Sequence, residues 1–276
     1  LRANKMRALL TMLGIIIGIA AVIGILTVGD GLSNTITSQM SSFGASTISI
    51  SLQQKTSQLD MSDLSSMMIQ PEDSDLITDD MIEEMLARYG ADIKAVGLTE
   101  NVGSGQVKDG RLYANVSVSG VNDGAFTIND VDLQAGRFLH QQDCDGERDV
   151  CVVSDKLVQN LFGGDTQAAL GSEISVQLRS DRVRLRIVGI YKASAFTIST
   201  ASDKDLSTTL YIPVTTAKRL TGAADGYSYF TVMAAGADST AVGTQISNFL
   251  NRYYRNNDDY RVTSMSMESV IESVDS

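Results

Sequence analysis

The sequence predicts an α+β protein: an N-terminal transmembrane helix, then a two-lobed extracytoplasmic domain. One lobe is discontinuous and built of paired βαβ units; the other is inserted into it and mainly β. Three observations predict this. An uncharged apolar run covers residues 9–28, strand–helix–strand patterns recur near both ends of the remainder, and short strands dominate the stretch between them. The 276 residues hold 22 Lys+Arg and 33 Asp+Glu, a formal net charge of −11, with two Pro, two Cys, one His and no Trp. That composition excludes collagen-like, disulfide-dense and wholly disordered classes. The acidic balance argues against nucleic acid, because phosphate binding needs clustered Lys and Arg.

The first element is the run LLTMLGIIIGIAAVIGILTV, Leu9 to Val28. A helix of this length rises about 30 Å, the thickness of a bilayer's hydrocarbon core. Arg2, Lys5 and Arg7 precede it, and the first acidic residue of the chain is Asp30. The positive-inside bias therefore places the N-terminus in the cytoplasm and the rest outside a cell membrane. Gly14 and Gly18 form a GxxxG face, which either packs against another membrane helix or reflects the general abundance of Gly in such helices. Ile36, Met40 and Phe43 continue a helical period out of the membrane as far as Gly44. The chain starts at Leu1 and ends at Ser276 without a second apolar span, so it reads as a fragment of a longer membrane protein.

Residues 1–46 are thus the cytoplasmic tip, membrane helix and extension. The βαβ lobe is assigned to 47–122 and 223–266. Ile48, Ile50 and Leu52 alternate with polar residues as a strand, and Gln53 to Asp75, with Met61, Met67 and Met68, reads as a loop. TDDMIEEMLARY places Met81, Ile82, Met85, Leu86 and Tyr89 on one helix face, with acids in the first turn and Gly90 as the stop. Ile93 to Leu98 is a strand, and two further strands flank the Asp109–Gly110 hairpin signal.

The inserted lobe is assigned to 123–222. After a mixed stretch from Phe126 to Leu139, Val150 to Val153 is a short buried strand and Ser154 caps the helix DKLVQNLF before Gly163. Strands follow at Ile174 to Leu178 and Val183 to Ile190. In the second, Arg182, Arg184 and Arg186 share one face, suited to an anion or to plain solvation. Leu210 to Ile212 is a strand, and Pro213 opens a helix ending at Gly222. Back in the first lobe, Tyr227 to Met233 is a strand. Asp238 caps a helix through Arg255 with Val242, Ile246, Phe249, Leu250 and Tyr253 facing inward, and Tyr260 to Met265 is the last strand. Ser266 caps MESVIESV, so residues 267–276 start a return helix toward the membrane.

No pattern carries catalysis. The chain lacks a GxxxxGK[ST] loop, a CxxC pair and GxSxG, and His140 stands alone, so no enzyme activity, metal or cofactor is expected. The carboxylate pairs Asp79–Asp80 and Glu83–Glu84 fall on the polar face of a helix. Cys144 and Cys151 flank DGERDV. Outside the cytoplasm a disulfide closing this short loop is chemically permitted; the alternative is a buried strand Cys151 and a free loop thiol at Cys144.

The opening residues resemble the start of MacB-type permeases of ABC transporters, within the FtsX-like permease group. The resemblance rests on RALLTMLGIIIGIA, the GD-type exit and the FGASTI-type entry to the first strand. Weaker echoes follow in LQAGRF, DVCVVSDKLVQNLFGG, LGSEI and VRLRIVGIY. It implies a first membrane helix, a two-lobed extracytoplasmic domain and, in complete members, three more membrane helices. It also implies coupling of cytoplasmic ATP hydrolysis to export or handling of peptides, antimicrobials or similar substrates. The implied partners are a cytoplasmic ABC ATPase, fused or separate, a second permease subunit (homodimer or heterodimer), a membrane-fusion adaptor protein and the lipid bilayer, with no nucleic acid. Competing expectations are a signal-anchored extracellular binding or sensing domain and an FtsX-like permease regulating a cell-wall enzyme.

Overall fold

The computed structural model describes residues 12–19, 21, 46–55, 71–179, 181–193, 206–236 and 238–269. Residues 12–19 are helical and their large apolar side chains are exposed. Among the described residues no helix is long and apolar enough to cross a membrane. The rest of the apolar run, its extension through Phe43, the loop residues Met61, Met67 and Met68, and the return helix beyond residue 269 lie outside the described residues.

Strand β1 (Thr47–Gln54) buries Ile48 and Ile50 and leaves Ser49 and Ser51 on its other face. Helix α1 (Asp79–Tyr89) starts where the Thr78 hydroxyl accepts the Met81 N–H, and it buries Ile82 and Met85. Strand β2 (Ile93–Gly97) follows, and the chain then leaves for the second lobe.

There β3 (Thr99–Asp109) and β4 (Leu112–Val121) form a hairpin turning at Gly110, which holds a positive φ of 58°. Next come α2 (Asp123–Ile128), β5 (Leu133–Gly136), α3 (Gln141–Asp145) and β6 (Val150–Ser154). They are followed by α4 (Asp155–Phe162), α5 (Thr166–Ala169), β7 (Glu173–Gln177), β8 (Arg182–Tyr191), β9 (Thr208–Pro213) and α6 (Val214–Thr221). The chain returns through β10 (Tyr229–Ala234), α7 (Ser239–Leu250) and β11 (Tyr260–Ser266).

The first lobe is a four-stranded sheet in the order β11-β1-β10-β2, every neighbouring pair antiparallel. Strands β1 and β2 are thereby parallel, as are β10 and β11, with helix α1 between the first pair and α7 between the second: a split βαβ arrangement. Its core holds Ile48, Ile50, Met85, Phe230, Val232, Ile246, Leu250 and Val262. The second lobe is a seven-stranded sheet, β5-β8-β6-β9-β4-β3-β7, and β7 pairs again with β8, closing a barrel. Val116, Leu185, Ile187, Leu210 and Ile212 fill it, and Leu157, Val158 and Leu161 of α4 join them.

Two expectations need correction. The β3–β4 hairpin was assigned to the βαβ lobe within 47–122, yet β4 pairs with β9 (Val116↔Thr208 to Val121↔Pro213) and β3 with β7 (Gln106↔Gln177). The inserted lobe therefore begins after Gly97. A hairpin signal is local and does not say which sheet the hairpin joins. The last helix was expected through Arg255 but ends at Leu250, because the Asn251 side chain leaves the helix to bond both main-chain groups of Val262, at 2.7 and 2.8 Å. That turn buries Tyr254 and leaves Tyr253 exposed, the reverse of the helical reading.

Candidate functional site

Among the described residues, no group of three or more His, Cys, Asp or Glu side chains is placed to hold a metal ion. The geometry that stands out is where the chain enters the domain, where it leaves, and how one lobe is fastened to the other.

Entry and exit lie together. Ile48, near the start of β1, pairs with Ser266, at the end of β11. The barrel is carried by the other two strands: β2 runs away from that end and leaves the sheet after Gly97, which pairs with Thr231 and through it is level with Ser49, and β10 enters at Tyr229, opposite Ser51.

The junction between the lobes is tightly built. Asn122 sits just before α2, where its side-chain oxygen accepts the Ala125 N–H and caps that helix. The same amide reaches across the crossing: Oδ1 accepts the Leu98 N–H at 2.9 Å and Nδ2 donates to the Val96 carbonyl at 2.8 Å. Helix α2 lies directly on β2. A Cβ on Gly124 would fall 2.1 Å from the Val96 oxygen, and one on Gly97 would fall 2.6 Å from Thr231 Oγ1 and 2.9 Å from Ile128 Cδ1. Only glycine permits that approach at both positions.

At the second crossing, Lys218 of α6 is buried with its Nζ 3.8 Å from the centroid of the Tyr227 ring. Burial lowers the lysine pKa, opposed by the negative charges of Asp79, Asp225 and Glu100. Burial, and then Asp79, push the Tyr227 hydroxyl up. Tyr227 also pairs with Ile77 through both main-chain groups, at 2.9 and 3.0 Å. Both crossings are therefore pinned to the first lobe. Between the lobes lies a cleft of about 520 Å³, with Leu86, Lys94 and Val96 on one side and Asn122, Phe126, Phe138 and His140 on the other.

Among the described residues, Asp143 of α3 is the one carboxylate whose side chain is almost wholly buried, at 1% exposure. Arg137 contacts both of its oxygens at 2.6 and 3.1 Å, Arg148 reaches Oδ1 at 3.3 Å, and the His140 N–H donates at 3.0 Å. Burial works to raise its pKa, but these hydrogen bonds and the two guanidinium charges outweigh burial and hold it below the usual carboxylate value. The network fixes α3 and the loop leading into β6.

Of the residues singled out in the sequence, Gly14 and Gly18 lie on the exposed helix 12–19, and a Cβ on either would meet nothing within 4 Å. That helix face is open. Cys144 and Cys151 are not joined: both are free, buried thiols. Cys144 packs into the core of the split βαβ lobe and Cys151 into the barrel core, so the expected bridge would have to span two separate interiors. Burial pushes the Cys144 thiol up to about 11 and raises that of Cys151 further. The junction residues Asn122, Gly97 and Gly124 were not singled out; an Asn three residues before Ala125 was the available cap signal.

A family of MacB-like periplasmic core domains matches residues 8–249. The macrolide export ATP-binding/permease protein MacB of Rhodopseudomonas palustris (strain BisB18) is 32% identical over 273 residues, 95% of this chain and 38% of that protein. The pyoverdine export ATP-binding/permease protein PvdT of Pseudomonas savastanoi pv. phaseolicola is 28% identical over 267 residues, 95% of this chain and 36% of that protein. The chain therefore spans well under half the length of these relatives. The crystal structure of the periplasmic region of MacB from Actinobacillus actinomycetemcomitans has the same fold, with a TM-score of 0.59 at 17% identity, covering 86% of this chain and 95% of that one. The chain belongs to the MacB-like periplasmic core domain family of ABC transporter permeases.

Proposed function

We propose that this chain couples cytoplasmic ATP hydrolysis to export, or to handling outside the membrane, of peptides, antimicrobials or similar substrates. The carrying observation is the shared entry and exit on β1 and β11 at the Ile48↔Ser266 end of the sheet, while the other two strands, β2 and β10, carry the barrel. Membrane segments joined at both places would pull on β1 and β11 of a sheet whose other two strands, β2 and β10, hold the barrel. Met12, Ile15, Ile16 and Ile17 each expose 58% or more of their surface on the N-terminal helix, a pattern that suits lipid better than water. In this reading Gly14 and Gly18 let that helix pack closely against another membrane helix. The relatives named above are export ATP-binding/permease proteins, one named for macrolides and one for pyoverdine. The partners are an ABC ATPase unit on the cytoplasmic side, a second permease subunit and a membrane-fusion adaptor, and the split βαβ lobe, barrel and N-terminal helix are the working units.

The test is co-purification of the protein in its full reading frame with candidate ATPase and adaptor partners, and ATPase assay of the complex in lipid. The proposal expects a stable complex whose ATPase activity falls when both Gly14 and Gly18 are replaced by Leu. A full-length protein that binds no ATPase, with the domain anchored by a single span, would instead mark an anchored binding or sensing domain.

A further inference from the structure

We propose that the free edge of β8 beside Arg182 and Arg184 receives an extended, acidic polypeptide segment as an added strand. Leu185 and Ile187 point into the barrel core at 1% exposure or less, so Arg182, Arg184 and Arg186 share the outer face. Alternate residues of a strand recur about every 6.6–6.8 Å. A second extended segment carries its own alternate side chains at the same interval, so an acid at every second position meets one guanidinium each. A helix does not keep that register.

The backbone is open on the same stretch. The Leu178 N–H donates to the Asp181 oxygen at 2.8 Å and the Ile187 N–H to the Ser172 oxygen at 3.0 Å. With the register Val176↔Val183 and Ile174↔Leu185, the main-chain groups of residues 183 and 185 point toward β7. Those of Arg182 and Arg184 point to the opposite edge. On that edge β6 begins only at Val150↔Arg186, where the Arg186 N–H donates to the Asp149 oxygen at 2.9 Å. Among the described residues no strand pairs with that edge at Arg182–Leu185.

Charge selects the occupant. The whole chain carries −11, yet this face presents three guanidinium groups, and among the described residues its one ion pair is Arg184 with Glu173 at 3.8 Å, both exposed. Charged side chains guard a strand edge against indiscriminate pairing. Arginines repel basic segments and admit acidic ones, and main-chain hydrogen bonds then supply the affinity.

The test uses the whole 276-residue chain in nanodiscs and a fluorescein-labelled short peptide alternating Glu and Val, followed by fluorescence anisotropy at low salt. Saturable binding is expected, absent for the matching Lys–Val peptide. It should weaken about tenfold or more in the R182E/R184E double variant, stay within a few-fold of wild type in R182K/R184K, and weaken about tenfold or more for one of two peptides N-methylated at every Glu or at every Val, the Glu amides serving an antiparallel strand and the Val amides a parallel one. Equal binding of both N-methylated peptides would mean charge alone and would overturn strand addition. Undiminished binding by R182E/R184E, with its circular dichroism unchanged, would overturn the site, as would the absence of saturable binding.

Discussion

Asn122 satisfies two main-chain groups of the first crossing that no other residue serves in the same way, and it caps α2 besides. Truncating it to Ala strands the Leu98 N–H and the Val96 carbonyl, which costs about 1–3 kcal/mol; urea denaturation should record a lower midpoint with an unchanged slope. Asp143 has a sign worth working out. Its folded pKa lies below its unfolded value, so the network contributes stability above the ordinary carboxylate range and loses it as pH falls through the folded value. Wild type should therefore lose more stability than Asp143→Asn between neutral pH and about pH 3, and the variant should already be weaker at neutrality. The two cysteines give a third expectation. Buried and with raised pKa values, both should resist a thiol reagent in the native state, react fully in denaturant, and give the same count with or without prior reduction.

Elements whose identity depends on their own residues were legible in the sequence. The Ser154 cap, the face Leu157, Val158 and Leu161, and the left-handed Gly163 that ends α4 all appear as the spacing predicts. So do α1 and the alternation in β1. What the sequence did not reveal depends on distant partners. Closure of the barrel through β7–β8, the parallel pairing of β4 with β9, and the placing of Cys144 in the core of the other lobe each join residues far apart in the chain. The candidate site suffered most, since its glycines matter through what lies above them. Helix α6 tests this at the scale of an element. A Cβ on Gly120 of β4 would lie 2.1 Å from Ala217 Cβ and 3.1 Å from Val214 Cα, so Gly120→Val must lift α6 off the barrel. Overpacking of this kind costs about 1–3 kcal/mol, and hydrogen exchange should quicken in α6 before it does in β1 or β11.

At the scale of the whole molecule, the pinned crossings make a specific demand: the two lobes should move as one body. Asn122 fastens the outgoing chain, Tyr227 and Lys218 fasten the returning chain, and α2 rests on β2 with no room for a single added carbon. Cys144 and Val214 of the inserted lobe pack into the core of the split βαβ lobe, but the rest of each core is its own, so loosening the contact at α2 need not unfold either. Gly124→Leu is the variant that separates these possibilities, because its Cβ would meet main-chain atoms of Val96 rather than a core side chain and so push α2 away from β2. Its circular dichroism should match wild type. Hydrogen exchange should rise in α2 and β2 while Ile50 and Phe230 in one core and Ile187 and Leu210 in the other stay protected. If displacement at the membrane end reaches the barrel through this contact, the full-length protein in complex with its ATPase should then show slower substrate-stimulated hydrolysis. A variant with loosened exchange at α2 and β2 but full coupling would mean that force does not pass through the junction.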